Sequence, residues 1–174
     1  MTRYIAFLRA INVGGHNVKM DALRQLFESL DFSNVETFIA SGNVIFESSA
    51  KNTAALEKKI ESKLNTALGY EVSTFIRTNS ELAGIAKYKP FKHAATALNI
   101  AFIAEALDAQ STNNLMACKS DIDDFHVHER EVYWLCLKKQ SDSKFSNAVL
   151  EKAIGRRSTL RGVSTIQKMA EKYS

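Results

Sequence analysis

Apolar residues recur along the chain in two rhythms, and each change of rhythm marks a new element. Tyr4 to Ala10 is an apolar run through Ile5, Phe7 and Leu8 that reads as a buried strand. Gly14-Gly15 breaks it, and from Met20 the apolar positions fall at Leu23, Leu26, Phe27 and Leu30, the spacing of a helix packed on one face. Val35 to Ala40, rich in β-branched and aromatic residues, predicts a second strand. Ser41-Gly42-Asn43 predicts a hairpin turn, with Val44 to Glu47 returning. Asn52 to Leu68 carries Leu56, Ile60, Leu64 and Ala67 on one stripe, and Gly69 stands where a helix C-cap belongs. Glu71 to Arg77 closes the series as a strand, Val72, Thr74 and Ile76 alternating with Ser73, Phe75 and Arg77.

The order strand, helix, strand, strand, helix, strand then repeats. Asn79 to Ala97 reads as a connector, with a short helix capped by Asn79 or Ser80 that stops before Lys89-Pro90-Phe91, the only proline. Leu98 to Ile103 predicts a strand and Ala109 to Lys119 a helix. Phe125 to His128 and Val132 to Leu137 predict a strand pair around Glu129 to Glu131. Ser143 to Ile154 predicts a helix, Arg157 to Arg161 a short strand, and Ser164 to Tyr173 an extra terminal helix. The expected fold is therefore α+β: a duplicated ferredoxin-like unit (βαββαβ twice), with antiparallel sheets, helices on one face, and a C-terminal helix. The expected divisions are residues 1–78, a connector at 79–97, and 98–174.

The segment YIAFLRAINVGGHNVKM (Tyr4 to Met20), followed by a helix and then TFIASGNVIFES (Thr37 to Ser48), closely resembles a bacterial family known as domain-of-unknown-function family 1697. A second landmark is similar to the family's Thr-Thr-Arg-Asn-Trp-Asn-Thr-Val-like segment and here reads Thr159-Leu160-Arg161-Gly162-Val163-Ser164-Thr165-Ile166. Thr159, Arg161 and Thr165 match, while the tryptophan and both asparagines are missing. The resemblance implies the duplicated ferredoxin-like fold and carries no activity with it.

Composition narrows the function classes. The 23 Lys and Arg are opposed by 19 Asp and Glu scattered along the chain, so the net charge of +4 permits an anionic partner without demanding one. No basic stripe of the kind that neutralises several phosphates is visible, which weighs against nucleic acid. Two cysteines, Cys118 and Cys136, make no disulfide framework and no zinc spacing. Without a signal peptide or a membrane-length apolar window, the expected setting is cytoplasmic, with no membrane partner.

Candidate chemistry concentrates in the first loop. Arg9, Asn12, Gly14, Gly15, His16 and Asn17 lead into a helix start, where backbone N–H groups form a concavity for an anion and Arg9 adds a forked donor. Ser41 or Asn43 of the hairpin turn is placed to line the same pocket. Arg161 of the second copy is expected to converge with Arg9 on one anion. In a scaffolding reading of the same residues, the glycines supply positive φ and the asparagines bond local backbone. The pattern is neither a P-loop nor a dinucleotide fingerprint, so no cofactor is implied. His126 and His128 share a strand face with Asp124 nearby, but with no third well-spaced metal ligand they read as exposed strand histidines opposite buried Phe125 and Val127. No nucleophile, paired carboxylates or metal cluster stands out as catalytic. The reading is a binding domain for a small anionic ligand. The alternatives are a single-stranded RNA-binding domain and a self-associating structural domain that forms a homodimer.

Overall fold

The computed structural model describes residues 1–12, 14–39, 42–92 and 97–174. The first half runs β1 (Thr2–Leu8), α1 (Met20–Glu28), β2 (Ser33–Thr37), β3 (Asn43–Ser48), α2 (Thr53–Leu68), β4 (Thr74–Thr78) and α3 (Asn79–Lys87). The second runs β5 (Ala97–Phe102), α4 (Ala109–Met116), β6 (Asp123–His128), β7 (Glu131–Cys136), α5 (Asn147–Ile154), β8 (Thr159–Gly162) and α6 (Val163–Tyr173). The strands form two four-stranded sheets, ordered β2-β3-β1-β4 and β6-β7-β5-β8, with every neighbour antiparallel. This is the ferredoxin-like order twice over, as the element sequence predicts. The chain forms two compact units, one of Met1–Gly84 with Met169–Ser174 and one of Ile85–Lys168.

In the first unit, Tyr4, Ala6 and Leu8 of β1 point to the helices. They pack with Val44, Phe46 and Ile76 against Leu23 and Phe27 of α1 and Leu56, Ile60 and Leu64 of α2. The opposite sheet face is just as buried: Ile5, Phe7 and Arg77 are 0% exposed, Ile45 2% and Phe75 3%. Burial on both faces is why β1 reads as an unbroken apolar run rather than an alternating one. In the second unit, Ala101, Val132 and Trp134 pack with Leu115, Leu150 and Ile154 on the helix face. Ile100, Phe102 and Tyr133 on the other face are fully buried.

The duplication extends to register. Ala6 lies between Val44 and Ile76, and Ala101 between Val132 and Leu160. Ile5 faces Arg77 and Ile100 faces Arg161, so the tripeptide Ile-Ala-Phe recurs in the centre of each sheet with an arginine opposite its isoleucine. Each arginine donates from Nη1 to the carbonyl of the residue before it, Arg77 to Ile76 at 2.9 Å and Arg161 to Leu160 at 2.8 Å. Counting from these arginines matches α3 to α6. The helix expected as a connector and the helix expected as an extra terminal element are thus the same seventh element of the two copies.

Local boundaries differ where capping decides them. Thr78, rather than Asn79 or Ser80, caps α3. Its Oγ1 accepts from the Glu81 N–H at 3.1 Å and its own N–H donates to Glu81 Oε2 at 2.8 Å, a reciprocal capping box. The predicted Ser143–Ile154 helix shrinks to α5 because the Ser146 side chain accepts from the Val149 N–H and stops the helix there. A 3-10 turn at Gln140–Asp142 occupies the chain just before.

The outward edge of β4 is closed by carboxylates. Alternate N–H groups of this edge strand donate to helix glutamates, Thr74 to Glu61 at 3.1 Å, Ile76 to Glu57 at 3.0 Å and Thr78 to Glu81 at 2.8 Å. An edge whose donors are already taken does not template a further strand. Two stability effects are expected. Thr78→Ala removes the cap and lowers unfolding free energy by about 1 kcal/mol in urea melts. Glu57→Ala strips the buried Ile76 N–H of its acceptor and costs about 1–3 kcal/mol, whereas Glu57→Gln, which keeps an acceptor, costs less.

Candidate functional site

The predicted loop residues assemble at one end of the first sheet. Where β1 ends, the Leu8 N–H donates to Gly42 O at 2.8 Å and the Arg9 N–H to Ser73 O at 2.9 Å, so the first loop, the hairpin and the entry to β4 meet there. Five described residues at this end have positive φ: Ala10 (53°), Gly14 (65°), Gly15 (85°), Ile39 (63°) and Gly42 (105°). For Ala10, and above all for β-branched Ile39, that backbone is strained.

Each predicted residue has a definite local role. Asn12 Oδ1 accepts from the Val18 N–H at 2.8 Å and closes the loop around the glycines. A side chain added at Gly14 or Gly15 would meet open space within 4 Å, so it is the positive φ that favours glycine there. His16 stacks on the Tyr70 ring at 3.7 Å between centroids, and the Tyr70 hydroxyl donates to Ile11 O at 2.7 Å. Burial pushes the Tyr70 phenol up from its ordinary value, which keeps it a neutral donor. Asn17 is exposed. Asn43, almost fully buried, ties the hairpin by donating from Nδ2 to Phe38 O at 3.2 Å. Ser41 lies outside the described residues. Sequence reasoning missed Tyr70, although an aromatic directly after the Gly69 cap is a natural candidate to fold back on the preceding loop.

The start of α1 is the polar focus of this end. Lys19 occupies its cap position with no side-chain cap bond, and the first-turn N–H groups have no partner within the helix. Lys19 brings positive charge there, and Arg9 follows the end of β1. Asp21 brings negative charge, offset by Arg24 at 3.4 Å.

Arg161 belongs to the second unit. Its Nη1 donates to Thr159 Oγ1 at 2.7 Å as well as to Leu160 O, and burial lowers its pKa to about 10, so it is cationic at neutral pH. The neighbouring arginines are also engaged. Arg156 donates to the carbonyls of Glu105 and Ala106, and Arg157 lies 3.9 Å from Glu151. His126 and His128, expected on an exposed face, are half covered by Tyr88. The Tyr88 hydroxyl lies 2.7 Å from His126 Nε2, and its ring stacks on His128 at 4.0 Å. Among the described residues no group of three His, Cys, Asp or Glu is arranged for a metal, and no helix is long and apolar enough to cross a membrane.

Comparison with known proteins agrees with this architecture. The conserved bacterial protein SP0830 from Streptococcus pneumoniae has a solved structure similar to this one, with a TM-score of 0.82 and 25% identity over 99% of this chain and 98% of that one. No curated protein matches the chain. A family model described as a protein of unknown function, DUF1697, matches residues 1–133. With its duplicated sheets and glycine-containing first loop, the chain belongs to that family.

Proposed function

We propose that this protein binds a small anionic ligand, bearing phosphate or carboxylate, at the loop between β1 and α1. The observation that carries the reading is the gathering of five positive-φ residues, two of them not glycine, at the sheet end where α1 begins without a side-chain cap. Strained backbone persists where surrounding structure holds it, and such positions cluster at ligand sites. A helix start whose first N–H groups have no partner within the helix, preceded by glycines and by Arg9 and Lys19 in the chain, has the donors and the field that an anion requires. The Asn12 bond to Val18 and the Tyr70 bond to Ile11 hold the loop in shape beforehand, which reduces the ordering cost of binding.

Burial weighs against single-stranded RNA. An RRM stacks bases on aromatics exposed on its open sheet face. Here the corresponding faces carry Phe7, Phe75, Phe102 and Tyr133, all buried. The glutamate-covered edge of β4 likewise disfavours self-association by strand addition there.

Thermal denaturation in the presence of inorganic phosphate and a panel of sugar phosphates tests the proposal. A ligand at about 100 times its Kd stabilises by about 2.7 kcal/mol, a rise in Tm of roughly 5–10 °C for a chain of this size. Arg9→Gln is expected to remove most of that rise. A panel with no response, or a rise that Arg9→Gln leaves intact, counts against the site.

A further inference from the structure

The two copies part company at one equivalent place, the corner where the fourth strand turns into the following helix. In the first copy Thr78 and Glu81 close that helix start with their capping box. Counted from the paired arginines, Arg77 and Arg161, the same positions in the second copy are Gly162 and Thr165, a pair that cannot make the box. Gly162 is not demanded by its backbone: its φ is not positive, and an added Cβ would meet nothing closer than Asn99 Oδ1 at 3.9 Å, ordinary contact. The missing side chain leaves room, and a cavity of about 510 Å³ opens at this corner within the second unit.

The lining has the mixture that small-molecule sites show, an apolar wall with a few convergent polar groups. Phe91 and Tyr88 supply the wall, and Tyr88 is fixed by its contacts with His126 and His128. Asn99, only 8% exposed, donates from Nδ2 to Gln140 Oε1 at 3.3 Å, which leaves the Gln140 amide N–H groups as donors. Lys89 and Ser164, the latter in the first turn of α6, add a cation and a hydroxyl. No Asp or Glu is among the described residues that line the cavity. We propose that this cavity is a second binding site, for a small molecule in which an aromatic ring carries a phosphate or carboxylate. The ring lies against Tyr88 and Phe91, and the acidic group takes the Lys89 ammonium, the Gln140 amide and the open first turn of α6. The volume accommodates one ring and its substituent, and among the described lining residues no carboxylate competes for the donors.

Phenyl phosphate is the probe, with inorganic phosphate and phenol as its halves, titrated into the isotope-labelled protein by two-dimensional NMR. Phenyl phosphate is expected to shift the Asn99 and Gln140 side-chain amides and the Ser164 backbone amide saturably, with a Kd at least about tenfold below that of either half. The double substitution Gly162→Thr with Thr165→Glu restores the capping box and fills the opening. It is expected to raise Tm by about 2–4 °C while weakening phenyl phosphate about tenfold or more. Gln140→Ala, at an exposed position, gives the same loss of affinity without touching the helix start. Unchanged affinity in both variants overturns the proposal, as do shifts confined to residues 12–17. That last outcome would favour the loop site alone, whereas lost phenyl phosphate affinity in these variants beside an Arg9-dependent phosphate response that persists shows two independent sites.

Discussion

The structure depends on a central strand in each sheet that is paired on both sides and buried on both faces. β1 and β5 must satisfy two ladders of backbone hydrogen bonds while their central residues are buried on both faces. The tripeptide Ile-Ala-Phe at the middle of each meets both conditions. Its alanine, fully buried at position 6 and again at position 101, leaves space on the helix side, and the large flanking residues fill the other. Because a slip by one residue would exchange the two faces, this pairing fixes the register of every other strand. It also brings Arg77 and Arg161 to equivalent positions, the first fully and the second partly buried, where each caps the carbonyl before it.

That constraint explains which parts of the fold were legible in the sequence. The apolar runs, the helix stripe of α2 with Asn52 and Gly69 at its ends, and the strand-helix order are local signals, and the structure follows them. The duplication showed as element order, and the resemblance to family 1697 pointed the same way. What was not legible depends on partners distant in sequence or on which residue wins a cap. Thr78 falls between the predicted strand, which ends at Arg77, and the predicted caps Asn79 and Ser80, and only its bond to Glu81 makes it the start of a helix. His126 and His128 looked exposed because Tyr88, 38 residues before His126, gives no sign in the sequence that it covers them.

The candidate loop was legible as chemistry and less so as architecture. Paired glycines and flanking asparagines announce a turn, and Asn12 performs the backbone bond that its position suggests. Nothing local to Ala10 or Ile39 announces a left-handed backbone, which arises from meeting the hairpin and the β4 entry at one sheet end. The cavity beside Gly162 was illegible for a plainer reason: a glycine that no turn requires is recognisable as a vacancy only when its equivalent in the other copy, Thr78, is known. Duplication thus supplies its own reference, and the two copies diverge in what they do with the same helix start.

The most direct measurement is amide hydrogen exchange at those two equivalent helix starts in the ligand-free protein. The account predicts strong protection at Thr78 and Glu81, whose N–H groups are held by the capping box, and little at Gly162 and Thr165. Equal protection at both corners would show that the second helix start is closed by other means, and would contradict the divergence on which the second site rests.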